Sequence, residues 1–316
     1  MKIKTIQFLI ITVFSLILSC SSSLKTVTIK SEDVLKLLDK EKDIYLSNKT
    51  ITGDLDFTKV KKNYPVSKQL IIAEVSNSVT FVDCKFEGKI IGFSSDSTLG
   101  YSTNFEKNLS FVNCEFLDEV NFRQVTINGV ANFSQSIFNS KVTFEGAVFY
   151  SAANYFVETI YRDEVKFTKS TFYGYTSFLK SVFEKIAYFK KSTFYGEALF
   201  NACNFYGYTD FSSINTLSDF SINSSVFTDE VYFNYAVFQK DAEFNKIQTD
   251  TLAEFKEIIF KGNTKFNNST FKNGTTFKNS YFTLGYPQTN DITKGDLFIV
   301  DSCFSLTKII IITENF

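Results

Sequence analysis

The chain has no histidine and no tryptophan, and among its 316 residues there are only two prolines and one methionine. Without histidine, Ser-His-Asp and Cys-His nucleophilic catalysis and histidine-ligated metal sites are excluded. The five cysteines, Cys20, Cys84, Cys114, Cys203 and Cys303, include no CxxC pair, which argues against a zinc or redox centre. Neither a metal nor a cofactor is expected. A net charge of −1 gives no basic patch for nucleic acid and no acidic surface that mimics it. No apolar run is long enough to span a bilayer. The longest, Ile6 to Leu18, reaches about 20 Å as a helix, against ~30 Å of hydrocarbon. Ile309 to Ile312 is shorter still.

The length of the first run fits a secretory signal. Lys2 and Lys4 precede it, and Leu16-Ile17-Leu18-Ser19-Cys20 ends it, followed by Ser21-Ser22-Ser23. This resembles the lipobox of bacterial lipoproteins, with Ile17 where leucine is commonest. The resemblance implies a signal peptide over 1–19 and lipidation of Cys20. A residue other than Asp after that cysteine implies an outer-membrane address, here taken to face the periplasm. An ordinary signal peptide followed by a chance cysteine is the alternative.

What the chain has in abundance is phenylalanine, 38 residues of it, and these are periodic. From Phe167 they fall at 167, 172, 178, 183, 189, 194, 200, 205 and 211, in alternating steps of five and six. Thr216 and Ile222 hold the next two slots. Phe227 to Phe244 resumes the series, Thr249 interrupts it, and Phe255 to Phe282 completes it. Phe111 to Phe149 follows the same alternation upstream, with one slip between Phe149 and Phe156. Two residues before each slot stands a small or β-branched residue, such as Ala131, Ser170, Ala187 or Cys203. Residues two apart in a strand share a face, so both point inward. Gly174, Gly196, Gly207, Asp118 and Asn273 occupy the longer step, which reads as turn chemistry.

The segments VTFEGAVF at 142–149 and EALFNACNF at 197–205 resemble the pentapeptide-repeat family in its Phe-rich form. The resemblance covers roughly residues 79–93 and 105–283, and more weakly 51–57. It implies an all-β fold, a right-handed quadrilateral parallel β-helix, with 22 residues per four-sided coil. The sequence supports 22 on its own, since Phe167, Phe189, Phe211, Phe233, Phe255 and Phe277 recur at that interval. Stacked repeats bury what no single repeat can.

The expected organisation is a signal peptide over 1–19, a linker over 20–30, a capping helix over 31–43 with Ser31 as N-cap, and the β-helix over 44–304. Residues 305–316 are read as a last strand or cap, or else as an interface edge. Residues 58–70 and 94–104 break the period and read as loops. If about eight residues of the second loop are an insertion, Cys84 lies directly beneath Cys114, within disulfide reach.

Three turns carry Asp-Glu pairs, Asp118-Glu119, Asp163-Glu164 and Asp229-Glu230. Paired carboxylates serve glycoside hydrolysis, but these would lie two and three coils apart, which reads as solvated turns. Tyr150, Tyr173 and Tyr195 lie one coil apart and read as an exposed ladder that could bind a sugar or a protein. A second outward column, Val148, Thr171, Thr193, Asn215, Val237, Ile259 and Tyr281, is a candidate face for a second copy of the chain. DNA-mimicking members of the family need a strongly acidic surface, which is missing here. The expectation is a membrane-anchored, non-enzymatic scaffold or binding rod with a protein or polysaccharide partner, and no nucleic-acid partner. The alternative is a polysaccharide-binding or polysaccharide-active β-helix.

Overall fold

The computed structural model describes residues 27–40, 42–287, 298–299 and 304–305. Strands of only two to six residues stack in parallel into four walls. In chain order, wall 1 begins at β2 (Ile44–Ser47), wall 2 at β1 (Val27–Lys30) and β3 (Lys49–Thr52), and wall 3 at β4 (Leu55–Asp56). Wall 4 begins at β5 (Asn63–Ser67) and β6 (Leu70–Val75). The walls hold 10, 11, 11 and 13 strands respectively. This is the expected all-β four-sided solenoid.

A two-residue strand makes too few hydrogen bonds to persist alone, so the side chains between coils must supply the stability. They do so as aromatic columns. Phe86, Phe116, Phe138, Tyr161, Phe183, Phe205 and Phe227 stack with centroids 4.5–5.2 Å apart and ring planes within 10° of parallel. Phe167, Phe189, Phe211, Phe233, Phe255 and Phe277 form a second column at 4.7–5.2 Å. Columns meet edge to face, as at Phe178–Phe189, 5.4 Å and 86°. The small residues beside them also satisfy backbone. Ser170 Oγ donates to the Phe144 carbonyl and Ser225 Oγ to that of Phe200, both at 2.7 Å. Ser225 Oγ also accepts the Cys203 amide at 3.0 Å.

The interruptions are compensated by volume. Thr216 opens a gap between Phe194 and Phe238. Phe220, in a position that holds Ala198 below and Ala242 above, packs 5.1 Å from Phe238 and 5.7 Å from Phe244. Tyr161 is less well accommodated: it holds a Phe slot fully buried, with its hydroxyl unpartnered.

Register gives the coil length directly. Phe189's neighbours pair at 22, as Ala187 with Thr209, whereas Val142 pairs with Val165 at 23 because the slip adds a residue between Phe149 and Asn154. Lower down, Val79 pairs with Leu109 at 30 and Ile44 with Val79 at 35. Val82 pairs with Val112 and Lys85 with Glu115, so Cys84 does lie beneath Cys114.

Several expectations need correction. Residues 27–30, read as linker, are strand β1, which pairs with Lys49–Thr52 and closes wall 2. The helix is α1, Ser31–Leu38, rather than 31–43. Its N-cap is Lys30 without a side-chain cap, while Ser31 is buried inside the first turn. Val34 and Leu38 plug the core against Ile51 and Leu55. Residues 58–70 and 94–104 are not plain loops. β5 pairs antiparallel with β6, and β10 (Phe93–Ser95) pairs antiparallel with β11 (Gly100–Phe105), while β6 and β11 pair in parallel over six residues. Together they form a four-stranded wing on wall 4. Gly174, Gly196 and Gly207, in the longer step, are not left-handed. Gly174 is required because a Cβ there would meet the Ser151 carbonyl oxygen and Ala152 backbone at 2.2–2.3 Å. The left-handed residues fall elsewhere, every eleventh position from Lys169 through Lys180 and Lys191 to Asn279. At the far end Phe298–Ile299 and Phe304–Ser305 continue walls 3 and 4. Residues 306–316, with Ile309–Ile312, and residues 1–26, with Cys20, lie outside the described residues, as does Cys303.

Phe189 is fully buried mid-column, and Lys190 points outward beside Asp210 at 3.7 Å. Phe189→Ala should destabilise the protein by ~3–5 kcal/mol, and Lys190→Ala by under ~0.5 kcal/mol. Equal shifts in denaturant melts would reject the register. Burial holds the Tyr161 hydroxyl well above the ordinary tyrosine range, followed by a smaller contribution from Cys203. The folded state therefore keeps Tyr161 neutral where the unfolded chain ionises, so its contribution is intact below pH ~10 and lost as pH rises beyond that. Tyr161→Phe should raise stability near neutral pH by ~1 kcal/mol and flatten the alkaline decline in thermal melts. A destabilised variant would mean that the hydroxyl has a partner.

Candidate functional site: the outward surface of the solenoid

Inward positions are filled by aromatic and small side chains, so a ligand would be met on the walls, the corners or the wing. Tyr150, Tyr173 and Tyr195 each follow a wall 4 strand, at the corner leading to wall 1. Their exposures are 51%, 42% and 44%, and their rings stack at 4.7 Å with interplanar angles of 12° and 3°. The ladder exists, but its ring faces cover one another. What it presents outward is ring edges and hydroxyls, so a sugar could lie only on its two end rings. Burial first, then the neighbouring Tyr150 and Tyr195, raises the Tyr173 hydroxyl above its ordinary range.

Wall 3 differs. Tyr188, Tyr208 and Tyr232 are half-buried there and tilted, 60° between the first two and 40° between the last two. Asp210, Glu230 and Glu254 interleave with them. Tyr232 donates to Glu230 at 2.7 Å, and Lys256 pairs with Glu254 at 2.6 Å. Burial pushes the Tyr208 hydroxyl up to about 12, helped by the charge of Asp210. Tilting sets these rings beside carboxylates rather than face to face, with Lys166 Nζ 5.8 Å over the Tyr188 ring, an arrangement the sequence periodicity did not single out. Alternation of Tyr and acid in the column Tyr188, Asp210, Tyr232, Glu254 was the available signal.

The wing makes a concavity. Its strands extend about four residues, roughly 13 Å, past the two-residue strands above them. Where it meets wall 3 lies an open groove of about 390 Å³ lined by Ile91, Phe93, Ser94, Glu119, Asn121 and Arg123. The Asn121 amide donates to the Phe93 carbonyl at 3.0 Å, and the Arg123 guanidinium lies 5.4 Å over the Phe93 ring. Gly92 sits at the junction because a Cβ would strike Phe122 and Val125 at 2.6–2.8 Å.

The Asp-Glu turns are structural. Asp118, Asp163 and Asp229 each accept the amide of the following glutamate at 2.7–2.8 Å. Glu119 pairs with Lys89 and Glu164 with Lys166, both at 2.9 Å. Two and three strand spacings separate them, about 10 and 14 Å, and no pair faces another. The column from Val148 to Tyr281 runs unbroken in register along wall 4. Among the described residues no helix is long and apolar enough to cross a membrane, and no cluster of Cys, Asp and Glu could hold a metal ion.

The repeats themselves can be placed. The family model for pentapeptide repeats, in nine copies, matches residues 111–160 and 167–215. The middle of this chain consists of pentapeptide repeats. The match ends one residue before Thr216, where the small and large slots exchange volume, yet the pentapeptide-repeat coil continues in register to Phe282. No curated protein and no solved structure matches the chain.

The ladder makes Tyr173 sensitive to its neighbours. In the Tyr150→Phe, Tyr195→Phe double variant, the tyrosinate titration assigned to Tyr173 should move down toward the ordinary value while keeping the part due to burial. An unchanged midpoint would mean that the rings do not couple.

Proposed function

We propose that this protein is a membrane-anchored, non-enzymatic binding rod. The observation that carries the rod is the division of labour in every coil. Inward positions are consumed by aromatic columns, while outward positions on the walls differ from coil to coil over stacks of at least 10 strands. Such a body is rigid and presents wide, addressable surfaces. The anchor rests on Lys2, Lys4, the Ile6–Leu18 run and Ser19-Cys20. Acyl chains on Cys20 would hold the rod at a membrane, the outer membrane facing the periplasm being the favoured address.

A second reading has support of its own. The tilted Tyr188, Tyr208 and Tyr232 beside Asp210 suit a polysaccharide better than the corner ladder does, because aromatic faces and carboxylates together recognise sugar rings and their hydroxyls. A protein partner remains the first choice, since the wing groove mixes Arg123, Glu119 and Phe93 in the manner of a protein contact surface.

Labelled palmitate fed to cells making the full chain should enter the wild type and not Cys20→Ala. No label in the wild type would remove the anchor. Membrane extracts from the same cells, captured on the lipidated protein, should yield a protein whose binding weakens at least tenfold in Arg123→Ala. Retention on insoluble polysaccharide that is lost in Tyr208→Ala would instead establish the second reading.

A further inference from the structure

We propose that Cys84 and Cys114 form a reversible disulfide that clamps the upper wing-bearing coil to the first regular coil above it. The register on both sides of the pair holds them as stacked neighbours, Val82 on Val112 and Lys85 on Glu115. Strand spacing puts their Cα atoms about 4.8 Å apart, inside the ~4.4–6.8 Å that a disulfide spans. Both residues are buried, and each thiol lies against backbone carbonyls of the coil, Cys84 Sγ 3.3 Å from the Val82 oxygen and Cys114 Sγ 3.4 Å from that of Val112. Elsewhere along this inward column the slot holds Ser136, Thr159, Ser181, Cys203 and Ser225. Cys203 lies between Ser181 and Ser225, with its Sγ 2.9 Å from the Phe178 carbonyl oxygen, and has no thiol to meet. A thiol directly above a thiol is found only here among the described residues.

The place matters as well as the pair. The 30-residue offset between these coils exists because β10 and β11 insert between Cys84 and Cys114. A bond between the two sulfurs closes the chain around that insertion. It fixes the coil that carries β11, one of the two strands on which the wing is built, against the first coil of the regular stack above it.

The chemistry balances with a low-molecular-weight disulfide as oxidant. The neighbouring Cys114 thiol lowers Cys84 below the ordinary thiol range, while that same contact and burial raise Cys114. Cys84 therefore loses its proton first and attacks one sulfur of the oxidant. One S–S bond breaks as another forms, and a first thiolate leaves. Cys114 then gives up its proton to solvent and attacks Cys84 Sγ, expelling the second thiolate. Two thiols of the protein are oxidised, and one external disulfide is reduced to two thiols. Side chains on parallel neighbours point the same way, so the sulfurs must turn toward each other. The strain this stores makes the bond easily reduced, and therefore reversible.

The test uses the folded full chain and glutathione disulfide, followed by alkylation, denaturation and digestion without reductant. Mass spectrometry should find a Cys84–Cys114 linked peptide, released by dithiothreitol, with Cys203 still a thiol. Cys114→Ser should carry one glutathione on Cys84, and Cys84→Ser should leave Cys114 unmodified. Serine fills this column natively, and unchanged circular dichroism melts would confirm that both variants fold. Free thiols at 84 and 114 in the treated wild type, or a bridge to Cys203, would overturn the proposal. Glutathione on Cys114 in Cys84→Ser would overturn the order of attack.

Discussion

Everything in this molecule depends on one coincidence of lengths. Backbone hydrogen bonds fix neighbouring parallel strands at about 4.8 Å, and flat aromatic rings also stack comfortably at that separation. The observed centroid distances, 4.5 Å at Phe149–Phe172 and 5.2 Å at Phe167–Phe189, bracket the strand spacing. Neither ladder could stand alone. Two-residue strands bond too little, and an isolated column of phenylalanines would slide. Locked together, each sets the pitch of the other. The four-sided cross-section follows, because columns meeting edge to face at angles near 90° fill a square without leaving a void.

That interlock tolerates defects only if volume is conserved within a coil. Thr216 for Phe is matched by Phe220 for Ala, and Thr249 by Ile247 in a slot that is Ser225 below and Ser269 above. The substituted threonines keep buried hydroxyls without partners, as Tyr161 does, so these coils are the least well satisfied of the stack. Polar positions at the corners repeat the same logic. Asn201 accepts the amide of Asn223, Asn223 that of Asn245, and Asn245 that of Asn267, one coil at a time. A side chain that caps its neighbour's turn is constrained by the coil above as strictly as a core residue is.

Periodicity made the core legible in the sequence because a buried aromatic has one environment and little freedom. Phe167 to Phe211 could be assigned to slots, and Cys84 placed under Cys114, without coordinates. Where the backbone rather than a side chain sets the constraint, the sequence was silent. Asn113, Asn268 and Asn279 favour the left-handed conformation they adopt, but Lys169, Lys180, Lys191, Ala202 and Tyr235 hold equivalent corners and are types that carry no preference for it. They are held there by the amides above and below, as when Lys191 donates to the Ser212 carbonyl. The wing was hidden for a different reason. Asn63-Tyr64-Pro65-Val66-Ser67 is exposed on every residue and has no inward period, so a strand there could be recognised only from its partner, Leu70–Val75. The candidate site was half legible: the spacing of Tyr150, Tyr173 and Tyr195 gave the ladder, but not the orientation that turns their faces to one another.

The placement of the irregularities carries the argument toward function. The regular coils offer a hollow on wall 3 beside Val120, Val142 and Lys166, and the wing adds a groove next to it. Two insertions, of 13 and 8 residues over that repeat, enter successive coils at the same corner, between walls 3 and 4. Their strands β6 and β11 pair with each other, so neither insertion is stable as built without the other. Insertions that merely accumulated would scatter around the corners, since every corner is solvent-facing and tolerant. Two that meet, pair and enclose a groove with Arg123 laid over Phe93 act as a single device. The sulfur pair spans the upper edge of this device, with Cys84 in the second of these coils and Cys114 in the first regular coil above it. The regular stack above, from Leu109 to Phe282, then serves as the rigid base from which this end is presented.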